Sequence, residues 1–268
     1  MRFSVITISY NSVKTIENTI KSVLCQNYDD YEYIIIDGGS TDGTLDIIAK
    51  YTDRISKFVS EPDRGISDAF NKGIKFSEGA LVGFINSDDF LAKDCLSKLN
   101  EYIGEDLQSD VYYGNMGVIN PNGKAYICSP TEDINNLKEH FMICHPATFV
   151  CKKAYLEYGV YDLKYKYAMD FELFSRFYIR GAKFSYVPIV LSFFNKGGTS
   201  KQNAKRTVKE SISISIRNGT NPIKANSYYH IANMHQKIFD LMNRVGIEET
   251  IRKIVKGQSH AEEEVFWF

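Results

Sequence analysis

The chain has 268 residues, enough for one large α/β domain with a tail or for two small domains, and enough to bury a core without disulfides or structural metal. Hydrophobic residues at 44% and charged residues at 24% are ordinary globular usage, which excludes disorder and coiled coil. With 32 Lys and Arg against 33 Asp and Glu the net charge is −1, so no global field recruits nucleic acid or an anionic membrane.

The first ninety residues alternate strand and helix patterns. FSVITI (3–8) is short and β-branched, as a buried strand should be. Ile16, Ile20, Val23 and Leu24 then fall on one helical face. YEYIIID (31–37) is a second strand, followed by a short helix through Leu45, Ile48 and Ala49. ISKFVSE (55–61) and ALVGFIN (80–86) are the third and fourth strands, with Ile66, Phe70 and Ile74 on a helix between them. Such alternation predicts a mostly parallel sheet with helices on both faces.

After residue 94 the pattern mixes. Leu96, Leu99 and Ile103 mark a helix, and VYYGNMGVI with KAYICS reads as a hairpin around a PNG turn. Residues 147–153 read as a strand, MDFELFSRFYIRG as a helix ended by Gly181, and KFSYVPIVLSFFN as a strand whose Pro188 implies an edge or a bulge. Val208, Ile212 and Ile216 point to a late helix, although ISISI (212–216) also alternates like a strand. The expected organisation is one domain over 1–200, in two halves (1–93 and 94–200), then a helical extension over 201–268.

The five cysteines contain no CxxC pair, which argues against zinc or a disulfide framework and fits a reducing cytosol. MRFSVITISYN is too short and too polar for a signal-peptide core, and no run of about 18 apolar residues exists. A soluble or peripheral cytoplasmic protein is expected. The 18 Tyr and 17 Phe could line a sugar site, but such rings more often fill a core.

Each early strand ends in small or polar residues (SYNS, DGGS, EPD, NSDD), and ligands of open parallel sheets bind beyond those ends. In NSDDF (86–90), carboxylates at a strand end suit Mg²⁺ or Mn²⁺, or else cap the next helix. DGGSTDGT (37–44) can hold a nucleoside or simply turn the chain; it is neither a dinucleotide fingerprint nor a P-loop. Arg64 and Lys72 in EPDRGISDAFNKGI could meet diphosphate oxygens or form a salt-bridged helix start. Asp170, between Met169 and Phe171, is a candidate base with a raised pKa or a helix cap. His145 in CHPATF is a ligand, a base or a satisfied loop histidine.

Taken together, VITISYN, IIIDGGSTDGT, EPDRGISDAFNKGI, FINSDDF, HPATF, AMDFELFSRF and GGTS resemble the family 2 glycosyltransferases of the GT-A fold, in order and spacing, over residues 1–200. The likeness is to the bacterial enzymes that build capsule, O-antigen and exopolysaccharide. The resemblance implies that Thr7, Ser9 and Asn11 surround a nucleoside, that Asp37 contacts its base, and that Arg64 and Lys72 lie near the diphosphate. It places the family's DXD motif on Asn86, Ser87 and Asp88, with Asn86 in place of the first Asp and Asp88 as ligand of Mn²⁺ or Mg²⁺. The family's Glu-Asp pair becomes Met169-Asp170, which keeps the base and loses the preceding acid; Asp89 and His145 are secondary or acceptor-side positions.

The implied reaction is inverting transfer of a sugar from a nucleoside diphosphate, with UDP the leading nucleotide, to a hydroxyl of a glycan or lipid-linked glycan. Residues 195–200 would form a lid, and Lys201, Lys205, Arg206 and Lys209 with the terminal VFWF could touch the inner face of a membrane. Asn86 and Met169 also favour an alternative, a catalytically weak nucleotide-sugar binding module. A sugar-phosphate nucleotidyltransferase would want a basic glycine-rich loop after the first strand, which SYNSVKT lacks.

Overall fold

The computed structural model describes residues 2–120, 123, 125–195, 203–231 and 234. The sheet grows outward from Phe3–Ser9 (β1), FSVITIS, in which every residue is buried. A strand with no exposed face must be covered on both sides, which is why its sequence runs apolar rather than alternating. Tyr31–Asp37 (β2) and Leu81–Asn86 (β4) flank β1, both parallel to it, and Lys57–Ser60 (β3) pairs parallel beyond β2. The crossovers carry Ile16–Leu24 (α1), Thr44–Ala49 (α2) and Ile66–Phe76 (α3). Ile16, Ile20, Val23 and Leu24 are buried as their spacing requires. Ile66 instead stands exposed at the first turn of α3, whose inner face is Phe70 and Ile74.

The later elements are Phe90–Leu91 (β5), Cys95–Ile103 (α4), Val111–Ile119 (β6), Ala125–Cys128 (β7), Thr148–Cys151 (β8), Lys152–Tyr158 (α5), Met169–Ile179 (α6), Phe184–Asn195 (β9) and Ala204–Arg217 (α7). They extend the same sheet, in the order β3-β2-β1-β4-β8-β6-β9-β5 with β7 on β6. β8 joins β4 antiparallel, and β6 and β7 form the expected hairpin. β9 is no edge, since β6 pairs along it and β5 pairs near its end. The register with β6 shifts around Asn115, opposite Val187–Ser192, so a bulge absorbs Pro188. Most of the aromatic excess is core: Phe70, Phe84, Phe149, Phe174 and Phe177 are all buried.

The chain divides into compact units at Thr220/Asn221, and α7 therefore belongs to the first unit rather than to an extension starting at residue 201. The reason is chemical. Glu172 on α6 is 2% exposed and needs cations; Arg176 supplies one at 3.0 Å and Arg217 of α7 another at 3.1 Å. Asn218 donates to Ser175 Oγ at 3.0 Å and to the Lys138 carbonyl. ISISI is helical, its alternation overridden by this docking. In the second unit, residues 222–231 are helical. No helix among the described residues is long and apolar enough to cross a membrane. All five cysteines are free thiols.

Gly79 precedes β4 where the chain crosses β1: its N–H donates to Ser4 Oγ at 2.8 Å, and a Cβ there would lie 2.5 Å from the Phe3 carbonyl carbon. Backbone cannot yield as a side-chain tip can. Gly79→Ala is expected to lower stability by about 1–3 kcal/mol, read as a lower urea midpoint at unchanged slope; a wild-type midpoint would show that this crossing has slack.

Candidate active site

The ends of β1 and β2 are locked together by one carboxylate. Asp37 is fully buried at the end of β2. Its Oδ2 accepts from Gly39 N (3.0 Å), Ser40 N (2.8 Å) and Ser60 Oγ (2.8 Å), and its Oδ1 from Ser40 Oγ (2.5 Å). Four donors fill the capacity of a carboxylate. Asp37 therefore clamps the 38–40 turn to β3, with its acceptor capacity taken up by protein donors. Gly38 N donates to the Ser9 carbonyl at 2.8 Å, and a Cβ on Gly38 would stand 2.5 Å from Asp63 Oδ2, so only glycine lets the two turns meet. Asn11, at φ 48°, accepts from Thr41 N at 2.9 Å.

The other residues expected around a nucleoside separate. Thr7 lies within the sheet, fully buried, its hydroxyl 2.9 Å from that of Tyr33; it is a core residue and not part of the strand-end cluster. Ser9 Oγ is buried without a hydrogen-bond partner. Tyr10, which the sequence reading passed over, is 64% exposed and borders Gly38. The only signal for it was its place between two polar strand-end residues.

At the end of β4, Asn86 and Asp89 form one unit. Asp89 is fully buried; its Oδ2 accepts from Asn86 Nδ2 at 2.9 Å and its Oδ1 from Asn195 N at 3.0 Å. Burial, and then the neighbouring Asp88 charge, push its carboxyl up to about 7. Ser87 bonds Ser12 Oγ at 2.6 Å, tying this turn to the one after β1. Asp88 is half-buried, has no ion-pair or side-chain partner among the described residues, and is held above the usual carboxylate range by desolvation. Among the described residues no three His, Cys, Asp or Glu side chains gather around one point, so Asp88 would hold a divalent ion together with ligands from a substrate.

Arg64 and Lys72 are both engaged. Arg64 pairs with Asp68 at 2.9 Å, which raises the one pKa and lowers the other, but the guanidinium side chain is 75% exposed. An exposed i,i+4 pair of this kind is worth little and can open. Lys72 is held harder, 2.9 Å from Glu61 and 3.0 Å from the Pro62 carbonyl, where it fastens the turn before α3.

On the other side, Asp170 is the second residue of α6. Its Oδ1 accepts only the Phe171 N–H, at 2.8 Å, and burial pushes its carboxyl up to about 6. It is not the helix cap. Met169 Sδ instead takes the Ser67 hydroxyl at 3.0 Å, an apolar anchor where the family pattern has an acid. The segment before α6 is fixed by Glu210 of α7, which accepts from Lys166 N (3.1 Å), Tyr167 N (2.8 Å) and Ala168 N (2.9 Å). His145 packs among Phe70, Phe84, Tyr161 and Phe174, with Nε2 2.7 Å from the Tyr161 hydroxyl. Burial lowers it to about 4, so it is a neutral imidazole at pH 7.

Residues 4–159 match the family model described as Glycosyl transferase family 2. The chain belongs to glycosyl transferase family 2. It is 28% identical over 226 residues, 81% of this chain and 86% of the relative, to a PGL/p-HBAD biosynthesis glycosyltransferase of Mycobacterium bovis. It is 43% identical over 105 residues, 38% of this chain and 42% of the relative, to TuaG of Bacillus subtilis, named for teichuronic acid biosynthesis. TarS of S. aureus in complex with UDP-GlcNAc superposes with a TM-score of 0.66 at 21% identity, over 84% of this chain and 69% of that one. A mannosyltransferase from Pyrobaculum calidifontis in complex with GDP-Man and Mn²⁺ gives 0.63 at 21%, over 87% and 70%. The fold is GT-A, and this family 2 member is a glycosyltransferase enzyme.

The Asn86–Asp89 bond explains the altered DXD motif. An Asp at 86 would set a second carboxylate 2.9 Å from a buried one. Asn86→Asp is expected to raise the Asp89 pKa further and to cost about 1–3 kcal/mol above neutral pH. The loss should shrink as pH falls and the pair shares a proton. Urea unfolding at pH 5 and pH 8 reads it, and an equal loss at both would refute the coupling.

Proposed function

We propose that the protein moves a sugar from a nucleoside diphosphate donor, a UDP-sugar first among them, to a hydroxyl of a glycan or lipid-linked glycan, with inversion at the anomeric carbon. The observation that carries this is which carboxylates lack partners. Asp37 is filled by four donors, Asp68 and Glu172 are paired with cations and Asp89 is held by two donors, whereas Asp88 and Asp170 have no cation and no side-chain donor among the described residues. A carboxylate kept half-buried and unpaired is poised for a metal or a proton.

On the donor side, the base would stack on the exposed Tyr10 ring and meet the 38–40 turn, with Asn11 beside it. Asp88 would hold Mn²⁺ or Mg²⁺, which when bound neutralises charge on the leaving diphosphate. Arg64, released from Asp68, is placed to pair with the same phosphates. Asp170 would take the proton as the acceptor oxygen bonds to the anomeric carbon and the nucleoside diphosphate departs. Family 2 relatives named for PGL/p-HBAD and teichuronic acid biosynthesis support a cell-envelope acceptor. Lys205, Arg206 and Lys209 on α7 are exposed cations that would meet an anionic membrane surface, giving a cytoplasmic enzyme working at the inner leaflet. The lid assigned to 195–200 and the VFWF contact fall, apart from Asn195, outside the described residues.

Two outcomes test the roles. Asp170→Asn should keep UDP–Mn²⁺ affinity by calorimetry while transfer falls about 10²–10⁴-fold; retention of most transfer would move the base elsewhere. Asp88→Asn should weaken UDP binding with Mn²⁺ and leave metal-free UDP binding unchanged. The pH profile follows from the raised pKa. A base must be ionised, so transfer should fall as pH drops through about 6 rather than through the ordinary carboxylate range near 4. A profile flat down to pH 5 would count against Asp170.

A further inference from the structure

A cavity of about 310 Å³ opens where the 164–167 segment faces α7, lined by Lys164, Tyr165, Tyr167, Arg206, Lys209 and Glu210. Its charge is unbalanced. Lys164, Arg206 and Lys209 are exposed cations with no acid paired to them among the described residues, and Glu210 is already occupied by three backbone N–H groups. The cations are also arranged. Arg206 donates to the Tyr167 hydroxyl at 2.8 Å and lies over that ring at 5.7 Å, leaving its other N–H groups open. Lys164 lies 5.8 Å from the Tyr165 ring centre, and Arg217 holds the Tyr165 hydroxyl at 3.2 Å. Lys209 follows Arg206 at i,i+3, on the same face of α7.

We propose that this cavity is an acceptor subsite for a phosphate group, a proposal that rests on the reading of Asp170 as the base for the acceptor hydroxyl. Three cations from two elements, one a guanidinium steadied on an aromatic ring, match a doubly charged phosphate better than a neutral sugar. The position fits as well. The lining segment runs directly into α6, three residues from Tyr167 to Asp170, and Glu210 of the same cavity holds the backbone of that junction. The phosphate can belong to a lipid carrier or to a phosphorylated glycan.

Calorimetry with UDP and Mn²⁺ saturating, so that the donor side is filled, distinguishes these. The probes are geranyl diphosphate, glucose 6-phosphate and, as the uncharged control, octyl glucoside. The wild type should bind a phosphate probe, with affinity falling as salt rises; the tighter of the two names the source. Arg206→Gln with Lys209→Gln should weaken that binding about tenfold or more while UDP affinity stays unchanged, which shows that the variant is folded. Lys209→Glu should weaken it too. Failure of both phosphate probes to bind, or equal affinity in wild type and variants, would overturn the subsite. Asp170→Asn should bind the phosphate probe as the wild type does. Should that variant retain transfer while the Arg206/Lys209 effect persists, the subsite stands and the base assignment alone falls.

Discussion

A carboxylate taken out of water must find donors or cations, and most of this molecule's long-range order is the solution to that problem. Glu32 ties β2 to the Glu78–Gly79 turn and to Ser4 of β1. Asp37 fastens the turn after β2 to β3; Asp89 joins the end of β4 to the end of β9; Glu172 draws α7 onto α6. Each acid sits at an element end and bonds across to a segment distant in sequence. The candidate site lies in the gaps of this scheme, where Asp88 and Asp170 have neither a cation nor a side-chain donor and desolvation holds both pKa values above the ordinary range.

Much of the fold was legible because its signals are local. β1 and β2 are short β-branched runs, α1 shows its apolar stripe, and the alternation of the two implies parallel pairing. The candidate loops were legible for the same reason, since polar clusters after strands converge once the strands are parallel. What could not be read was who bonds to whom. Thr7 looks like any strand-end hydroxyl until Tyr33 is found opposite it, 26 residues away in sequence. Lys72 reads as a phosphate ligand until Glu61 and Pro62 claim its ammonium. The docking of α7 on α6 could not be read either, because its reason, Glu172 with Arg217, lies in a pair 45 positions apart.

The two departures from the family pattern become intelligible together. Asn86 supplies an amide donor that a buried Asp89 requires, and a carboxylate there could not. Met169 is buried against Ser67, whose hydroxyl also donates to the Tyr165 carbonyl, and a second acid beside Asp170 would add charge to an already desolvated position. Both substitutions keep negative charge away from a buried carboxylate, Asp89 in one case and Asp170 in the other.

The clasp between Glu210 and the backbone of 166–168 has an evolutionary consequence. The family model matches residues 4–159, so α6, which carries Asp170, and the α7 carboxylate that holds the backbone before it both follow the matched range. One carboxylate on α7 aligns the backbone leading to Asp170, and the same helix faces the segment at which an acceptor would arrive. A change at Glu210 on α7 therefore also loosens the backbone that leads into α6. Lineages that exchange acceptors by recombination should carry 164–217 as one indivisible block, and chimeras cut inside it should lose turnover even where both parents are active.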